Sequence, residues 1–132
     1  MNSAEGTITE LECKDLIKKG HRWIDVRAPI EFSAGTLPNA VNLPILSDDE
    51  RHQIGTCYKK QGHDQAVEMG HRLVTGANKE QKIQAWLKEI KQQPECSLFC
   101  FRGGMRSQLS QQWLNEAGIS IRRLSEIGRA HV

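Results

Sequence analysis

Short apolar runs alternate with longer stretches of helical character along this chain, and this alternation restricts its fold more than any other feature. Strands separated by helices pair in parallel within a sheet, whereas strands joined by tight turns pair antiparallel. The sequence therefore predicts an α/β domain with a central, mainly parallel sheet of about five strands flanked by helices. The predicted strands are residues 7–8, 22–26, 40–43, 97–100 and 119–124.

Capping signals and apolar spacing predict the helices between these strands. Thr9 begins the first helix with a capping-box pattern, and Gly20 ends it. Ser47 begins another helix, whose first turn is acidic. Gly55 and Gly62 are predicted to interrupt the middle of the chain. The other predicted helices are a short turn at 30–34 and the segments 65–75, 79–92 and 106–117.

The chain of 132 residues has the size of one domain, so residues 1–132 are predicted to form a single unit. Hydrophobic residues make up 38% and charged residues 26%, a composition typical of neither disordered nor membrane proteins. A net charge of +2 does not indicate a dedicated nucleic-acid-binding domain. Residues 1–12 contain no apolar block like that of a secretory signal, so a cytoplasmic location with no membrane partner is predicted.

Cys100 and the residues after it carry the clearest chemical signal in the chain. Cys100 ends a predicted strand, and Gly103 and Gly104 form a tight loop before the next helix. Parallel α/β sheets bind ligands at this edge, where a glycine-rich backbone and a helix N-terminus direct N–H groups inward. Arg102 and Arg106 add positive charge. Because such surroundings stabilise a thiolate, Cys100 is the predicted nucleophile.

The loop also has the shape of a bowl that could hold a tetrahedral anion or the terminal sulfur of a persulfide. The residues predicted to bind the anion or chalcogen are Phe101, Arg102, Gly103, Gly104, Met105, Arg106 and Ser107.

Two further motifs, together with this loop, resemble the rhodanese superfamily of sulfurtransferases. Residues 23–27 (WIDVR) look like its strand motif, and residues 31–44 (EFSAGTLPNAVNLP) look like the motif that follows it. The resemblance implies a rhodanese-like fold in which Cys100 forms a persulfide. It also implies structural roles for Asp25 and Arg27, which would join their strand to neighbouring loops.

The spacing within the loop departs from that of common sulfurtransferases. Five residues separate Cys100 from Arg106, and this C-x5-R spacing resembles phosphatases built on the same fold. The loop contains no Asp or Glu to act as a general acid, and Phe99 rather than His precedes Cys100, so both features weaken the phosphatase interpretation. A generic thiosulfate-type sulfurtransferase and a non-catalytic rhodanese-like binding module are further alternatives.

A narrower resemblance, to the N-terminal rhodanese domain of tRNA 2-selenouridine synthases, covers most of the chain. It implies that selenium from selenophosphate replaces the sulfur of 2-thiouridine at the tRNA wobble position, through a geranylated intermediate. The P-loop of that family does not occur in this sequence, so the chain is expected to correspond to the rhodanese part alone. The matching segments are 25–32, 42–44, 49–51, 55–62, 70–71 and 100–107.

The predicted reaction is therefore sulfur or selenium transfer through Cys100. The donor would be a small anion, either selenophosphate or a sulfane-sulfur compound, and the acceptor in the full synthase would be tRNA. No cofactor is predicted. No metal site is predicted either, because the spacing of four candidate ligands matches no standard zinc pattern. Those four residues are His52, Cys57, His63 and His71. The sequence leaves the oligomeric state open.

The remaining cysteines and a group of basic residues are weaker candidates for function. Cys57 could be a second redox or relay thiol, or a buried helix cysteine. Cys13 and Cys96 are predicted to be chemically inert, and all four cysteines are predicted to be reduced. A basic group could form a phosphate-binding edge for tRNA, or simply a solvated face. Its members are Lys59, Lys60, Arg122, Arg123 and Arg129.

Overall fold

Five parallel strands form one sheet in the order β1-β5-β4-β2-β3. The computed structural model describes residues 6–100 and 105–124. The strands are β1 Thr7–Ile8, β2 Trp23–Asp25, β3 Ala40–Asn42, β4 Ser97–Phe99 and β5 Arg123–Leu124. The predicted α/β fold with a parallel sheet of about five strands is confirmed.

The strand order reverses next to β2, and this reversal positions the site. The chain passes from β2 outward to β3 and then returns to place β4 on the other side of β2. Loops that leave neighbouring strands in opposite directions open a crevice at their carboxyl ends, where α/β proteins bind ligands. Asp25 at the end of β2 lies opposite Phe99 at the end of β4. Cys100 is the first residue after β4 and therefore lies at this crevice.

Six helices are described, and two of them begin with the capping residues predicted. Thr9 Oγ1 accepts a hydrogen bond from the N–H of Glu12 at 3.2 Å. Ser47 and Glu50 form a reciprocal capping box. The helices are α1 Glu10–Lys18, α2 Pro29–Ala34, α3 Asp48–Gln61, α4 His63–Leu73, α5 Gly76–Gln92 and α6 Met105–Glu116.

The middle of the chain is more helical than predicted. Gly55 lies inside α3 and does not interrupt it, so that prediction is wrong. Gly62 does separate α3 from α4, and its φ of 90° is a left-handed conformation that glycine adopts without strain. At the other end of the chain, the predicted strand 119–124 pairs only at Arg123 and Leu124, since Ile119 still donates to the last turn of α6.

The core lies on both faces of the sheet. Trp23 and Phe99 face one cluster, whereas their neighbours Ile24 and Leu98 face the other. This two-sided burial is typical of parallel sheets covered by helices. The three tryptophans are buried. Within the described part of the chain, no helix combines the length and the apolar character needed to cross a bilayer.

Candidate active site

The Cys100 thiol lies immediately after β4 and faces the start of α6. Its side chain is buried, with 2% of the residue exposed, and Sγ accepts a hydrogen bond from the N–H of Ser107 at 3.2 Å. That N–H belongs to the first helical turn, where N–H groups have no acceptor within the helix. The contact therefore places the sulfur at the positive end of α6, where a thiolate is stabilised.

The predicted chalcogen-binding loop is described only in part. Phe101, Arg102, Gly103 and Gly104 lie outside the described residues, and their binding roles stay predictions. Met105, Arg106 and Ser107 form the first turn of α6. Of these, Ser107 contacts Cys100 directly through its backbone.

Arg106 binds Glu31, a residue of α2. Its two terminal nitrogens contact the two carboxylate oxygens of Glu31, at 2.5 Å for Nη1 to Oε1 and 3.1 Å for Nη2 to Oε2. The same Oε1 accepts a hydrogen bond from the Ala28 N–H at 3.1 Å and forms an ion pair with Arg51, whose Nε lies 3.1 Å away. Arg106, predicted as an anion-binding residue, is thus anchored to α2 through both terminal nitrogens.

Burial and charge act in opposite directions on this ion pair. Burial alone would raise the pKa of Glu31, but the hydrogen bond and charge of Arg106, with help from Ala28 and Arg51, lower it below the ordinary value. Burial would likewise lower the pKa of Arg106, but the hydrogen bond and charge of Glu31, with the charges of Cys100 and Asp25, raise it. Both groups are therefore charged at neutral pH.

Asp25 and Arg27 join β2 to the segment after α2, which is the structural arrangement expected for them. The Arg27 guanidinium contacts Asp25 Oδ2 at 2.8 Å and the carbonyl of Gly35 at 2.6 Å. Thr36 donates its hydroxyl to the same Oδ2 at 2.9 Å. Asp25 is fully buried and Arg27 nearly so. Removal of either partner would leave an uncompensated charge in the interior and destabilise the fold.

A cavity of about 660 Å³ lies between α3, α4 and α6, beside the first turn of α6. Most of its wall is apolar, and it shares Ile45, Val74 and Trp113 with the core cluster that contains Cys100. Nothing in the sequence predicts this cavity, although several motif positions line it. Those motif positions are Arg51, Gly55, Tyr58, Gly70, His71, Met105 and Arg106.

The other cysteines differ from Cys100 in their surroundings. Burial and the charge of Glu10 raise the pKa of Cys13, while burial and the charge of Glu89 raise that of Cys96 to about 11. Both are consistent with inert thiols. Cys57 is buried in α3 and does not line the cavity, so its role as a second thiol stays a prediction.

The candidate metal ligands and the basic group named in the sequence can also be compared with the structure. In residues 6–100 and 105–124, no three His, Cys, Asp or Glu side chains come together as a metal site. Of the basic group, Arg122 is bound to Glu12 at 2.9 Å and to the carbonyl of Thr7 at 2.7 Å. Arg123 faces Ser107 Oγ at 3.5 Å, and Arg129 lies outside the described residues. Arg122 therefore links β1, α1 and β5.

Comparisons with known proteins identify a matching domain family and a similar solved structure. The Rhodanese-like domain family matches residues 9–126. A solved structure, the N-terminal domain of a protein provisionally named as ATP/GTP binding from Clostridium difficile 630, is similar with a TM-score of 0.73 and 26% identity, over 94% of this chain and 93% of that one.

Three curated relatives carry the name tRNA 2-selenouridine synthase. That of Shewanella woodyi is 55% identical over 82% of this chain and 29% of its own length. That of Shewanella denitrificans is 54% identical over 86% of this chain and 31% of its own. That of Bdellovibrio bacteriovorus is 52% identical over 82% of this chain and 28% of its own. The chain thus spans less than a third of the length of these relatives.

Proposed function

Because this chain belongs to the Rhodanese-like domain family, we propose that it transfers sulfur or selenium by carrying the atom on Cys100. The observation that supports this proposal most directly is the hydrogen bond from the Ser107 N–H to Cys100 Sγ at 3.2 Å. It holds the sulfur at a helix N-terminus, which favours the thiolate and the anionic persulfide formed from it.

The first step is an attack of the Cys100 thiolate on the outer sulfur of a sulfane donor. With thiosulfate, a bond forms between Sγ and that sulfur, the sulfur–sulfur bond of the donor breaks, and sulfite leaves with the electron pair. The terminal sulfur of the persulfide then bears the negative charge. Backbone N–H groups at the start of α6 are positioned to stabilise that charge.

The acceptor we propose is a tRNA base, in a reaction completed by a longer protein. The relatives named tRNA 2-selenouridine synthase match this chain over less than a third of their length, so this domain would supply the chalcogen-carrying part. Selenophosphate would be the selenium donor, as the resemblance of the sequence motifs implies.

The apolar cavity is suited to binding a hydrophobic intermediate of that reaction. The same resemblance implies a geranylated base, and a prenyl chain needs an apolar site close to the reacting sulfur. The cavity begins at Met105 and Arg106, a few residues from Cys100, and its wall is mostly apolar. We propose that it holds the prenyl chain while the base faces Cys100.

Phosphatase chemistry, the alternative raised by the C-x5-R spacing, receives less support. A phosphatase needs a protonated carboxyl group or an equivalent acid for the leaving group. The acidic residues next to the site are Asp25, which is paired with Arg27, and Glu31, whose pKa is lowered by Arg106. Glu31 is therefore held as a carboxylate and not as an acid, and both oxygens of Asp25 accept hydrogen bonds from Arg27.

Mass spectrometry of the whole chain and its peptides tests the proposal. After treatment with thiosulfate or, separately, selenosulfate, each of which releases sulfite when its outer atom is attacked, Cys100 is expected to gain one sulfur or one selenium. The adduct should disappear in Cys100→Ser and persist in Cys96→Ser, a matched control at a buried cysteine whose pKa is raised to about 11. Absence of an adduct on Cys100 with both donors would overturn the transfer proposal and favour either a binding module or a domain that acts only within a longer protein.

A further inference from the structure

Arg51 lies at the solvent-facing rim of the cavity, on the first turns of α3. Its side chain is 48% exposed, whereas those of Glu31 and Arg106 are 19% and 21% exposed. Arg51 and Arg106 both line the cavity and both contact the same carboxylate. Among these three side chains, one negative charge faces two positive charges.

Glu31 engages the two arginines in different ways. Arg106 donates hydrogen bonds to Glu31 from both terminal nitrogens, whereas Arg51 forms an ion pair with Glu31, with Nε 3.1 Å from Oε1. Within residues 6–100 and 105–124, the Arg51 guanidinium forms this ion pair and no side-chain hydrogen bond. Its N–H donors are therefore available to a ligand at the cavity that Arg51 lines.

The other polar groups around the cavity also favour a negatively charged ligand. They are Tyr58, His63 and His71, and no Asp or Glu lines the cavity within the described residues. Tyr58 is well exposed, so it stands at the same rim as Arg51. A cleft whose polar groups are neutral or basic, above an apolar wall, concentrates anions at its opening.

We propose that Arg51 binds a phosphate group of the substrate through its terminal nitrogens, with Glu31 as the positioning residue that orients it. A guanidinium fork matches two phosphate oxygens in a way that a point charge cannot. The inference rests on the proposed function, because both the selenium donor and the RNA acceptor carry phosphate.

NMR titration of the whole chain labelled with nitrogen-15 tests this assignment. Inorganic phosphate is added in one arm and a short single-stranded RNA in the other. Arg51→Gln is expected to weaken binding by roughly fivefold or more in at least one arm, and Arg51→Lys, which keeps the charge without the fork, should restore it only in part. Arg72→Gln is the matched control, because Arg72 is an exposed arginine of α4 paired with Glu68.

Each outcome has a definite meaning for the source of the phosphate. Weaker binding of inorganic phosphate alone assigns Arg51 to the small donor, and weaker binding of RNA alone assigns it to the RNA backbone. Unchanged affinity in both arms, with Arg72→Gln also unchanged, overturns the inference.

Two measurements separate this inference from the proposed function. They are formation of the Cys100 adduct in the unmodified chain, and the phosphate affinity of that chain compared with that of Arg51→Gln. An adduct together with unchanged phosphate affinity would overturn only the role of Arg51. Absence of the adduct in the unmodified chain, with phosphate binding still dependent on Arg51, would overturn only the transfer proposal.

Discussion

Glu31 connects three segments that are far apart in the sequence. It lies in α2, closes the first turn of that helix through the Ala28 N–H, and binds Arg51 of α3 and Arg106 of α6. Arg106 is 75 residues away along the chain. A single carboxylate therefore fixes the start of α6, on which the Ser107 N–H and the Cys100 sulfur depend.

Replacing this carboxylate is expected to destabilise the fold in a pH-dependent way. Because the pKa of Glu31 is lowered in the folded state, its stabilisation is present above the unfolded value and is lost as the pH falls through the folded value. At pH 7, Glu31→Gln should lower the free energy of unfolding by about 1–3 kcal/mol, since two guanidiniums lose their partner. Urea denaturation measured at pH 7 and at successive lower pH values checks this.

The control for that measurement is Glu68→Gln, which removes a carboxylate from an exposed pair with Arg72. An exposed pair contributes little, so a change within about 0.5 kcal/mol is expected at every pH. If Glu31→Gln lost the same stability at acidic and neutral pH, the ionic role assigned to Glu31 would be wrong.

Sequence motifs predicted some of these residues better than others. Asp25 and Arg27 could be assigned structural roles because the motif that contains them resembles the strand motif of the rhodanese superfamily. Arg106 was predicted to bind an anion, and its pairing with Glu31 could not be predicted, because nothing local in the sequence shows that two residues 75 positions apart are in contact. Arg51 lies in a matching segment, but its contact with Glu31 cannot be predicted from the sequence for the same reason.

At the scale of elements, the first turn of α6 is expected to control the reactivity of Cys100. Ser107→Pro removes the N–H that Sγ accepts, at a first-turn position where proline is tolerated within a helix. The rate of Cys100 alkylation by iodoacetamide at neutral pH should fall by roughly tenfold, the effect of losing one hydrogen bond to a charged group.

Ser107→Ala provides the matched comparison, because it keeps the backbone N–H and removes only the hydroxyl. Alkylation of Cys100 in this variant should remain close to that of the unmodified chain. Equal rates in the proline and alanine variants would show that the N–H does not activate the thiol.

The face of α3 that lines the cavity offers a second test. A Cβ added at Gly55 would meet no atom within 4 Å, so Gly55→Leu extends a side chain into open space at the cavity wall. The free energy of unfolding should rise by about 0.5–1 kcal/mol, because glycine is a poor helix former. Binding of an apolar fluorescent probe should weaken at the same time, as titration would show.

Gly55→Ala separates these two effects. It gives a similar gain in helix stability but fills much less of the cavity, so probe binding should change little. If leucine and alanine weakened probe binding equally, the probe would not occupy the cavity wall next to α3.

Helix ends with clear capping residues could be predicted from the sequence, whereas the interior of α3 could not. Thr9 and Ser47 were predicted correctly because their side chains satisfy N–H groups a few residues away. Gly55 was predicted as a break, yet the local cost of a glycine, about 1 kcal/mol, is outweighed when a whole helix packs against a neighbour. The cavity was missed because three separate helices form it.

At the scale of the whole molecule, β2 and β4 are the centre of the sheet. Each has a strand on both sides, and every residue of both strands is buried. Hydrogen exchange is therefore expected to be slowest at amides such as Leu98, which donates to the carbonyl of Arg122 at 2.9 Å. Val41 in the edge strand β3 should exchange faster, and equally slow exchange there would contradict this picture.

The parallel arrangement could be predicted from the alternation of strands and helices, but the order of the strands could not. Residues 97–99 pair with residues 23–25 across more than half of the chain, and their apolar sequences alone do not specify which neighbours they choose. The position of Cys100 at a strand-order reversal became apparent only from the assembled sheet.

The insertion of β4 beside β2 has a consequence for synthesis on the ribosome. When β2 and β3 have emerged and paired, the other side of β2 still lacks its partner β4, which begins some seventy residues after β2 ends. At ~5–20 residues per second, that unpaired edge persists for several seconds. A nascent chain is then open to pairing with other extended segments, and the contact between Cys100 and the first turn of α6 forms only after α6 has left the exit tunnel.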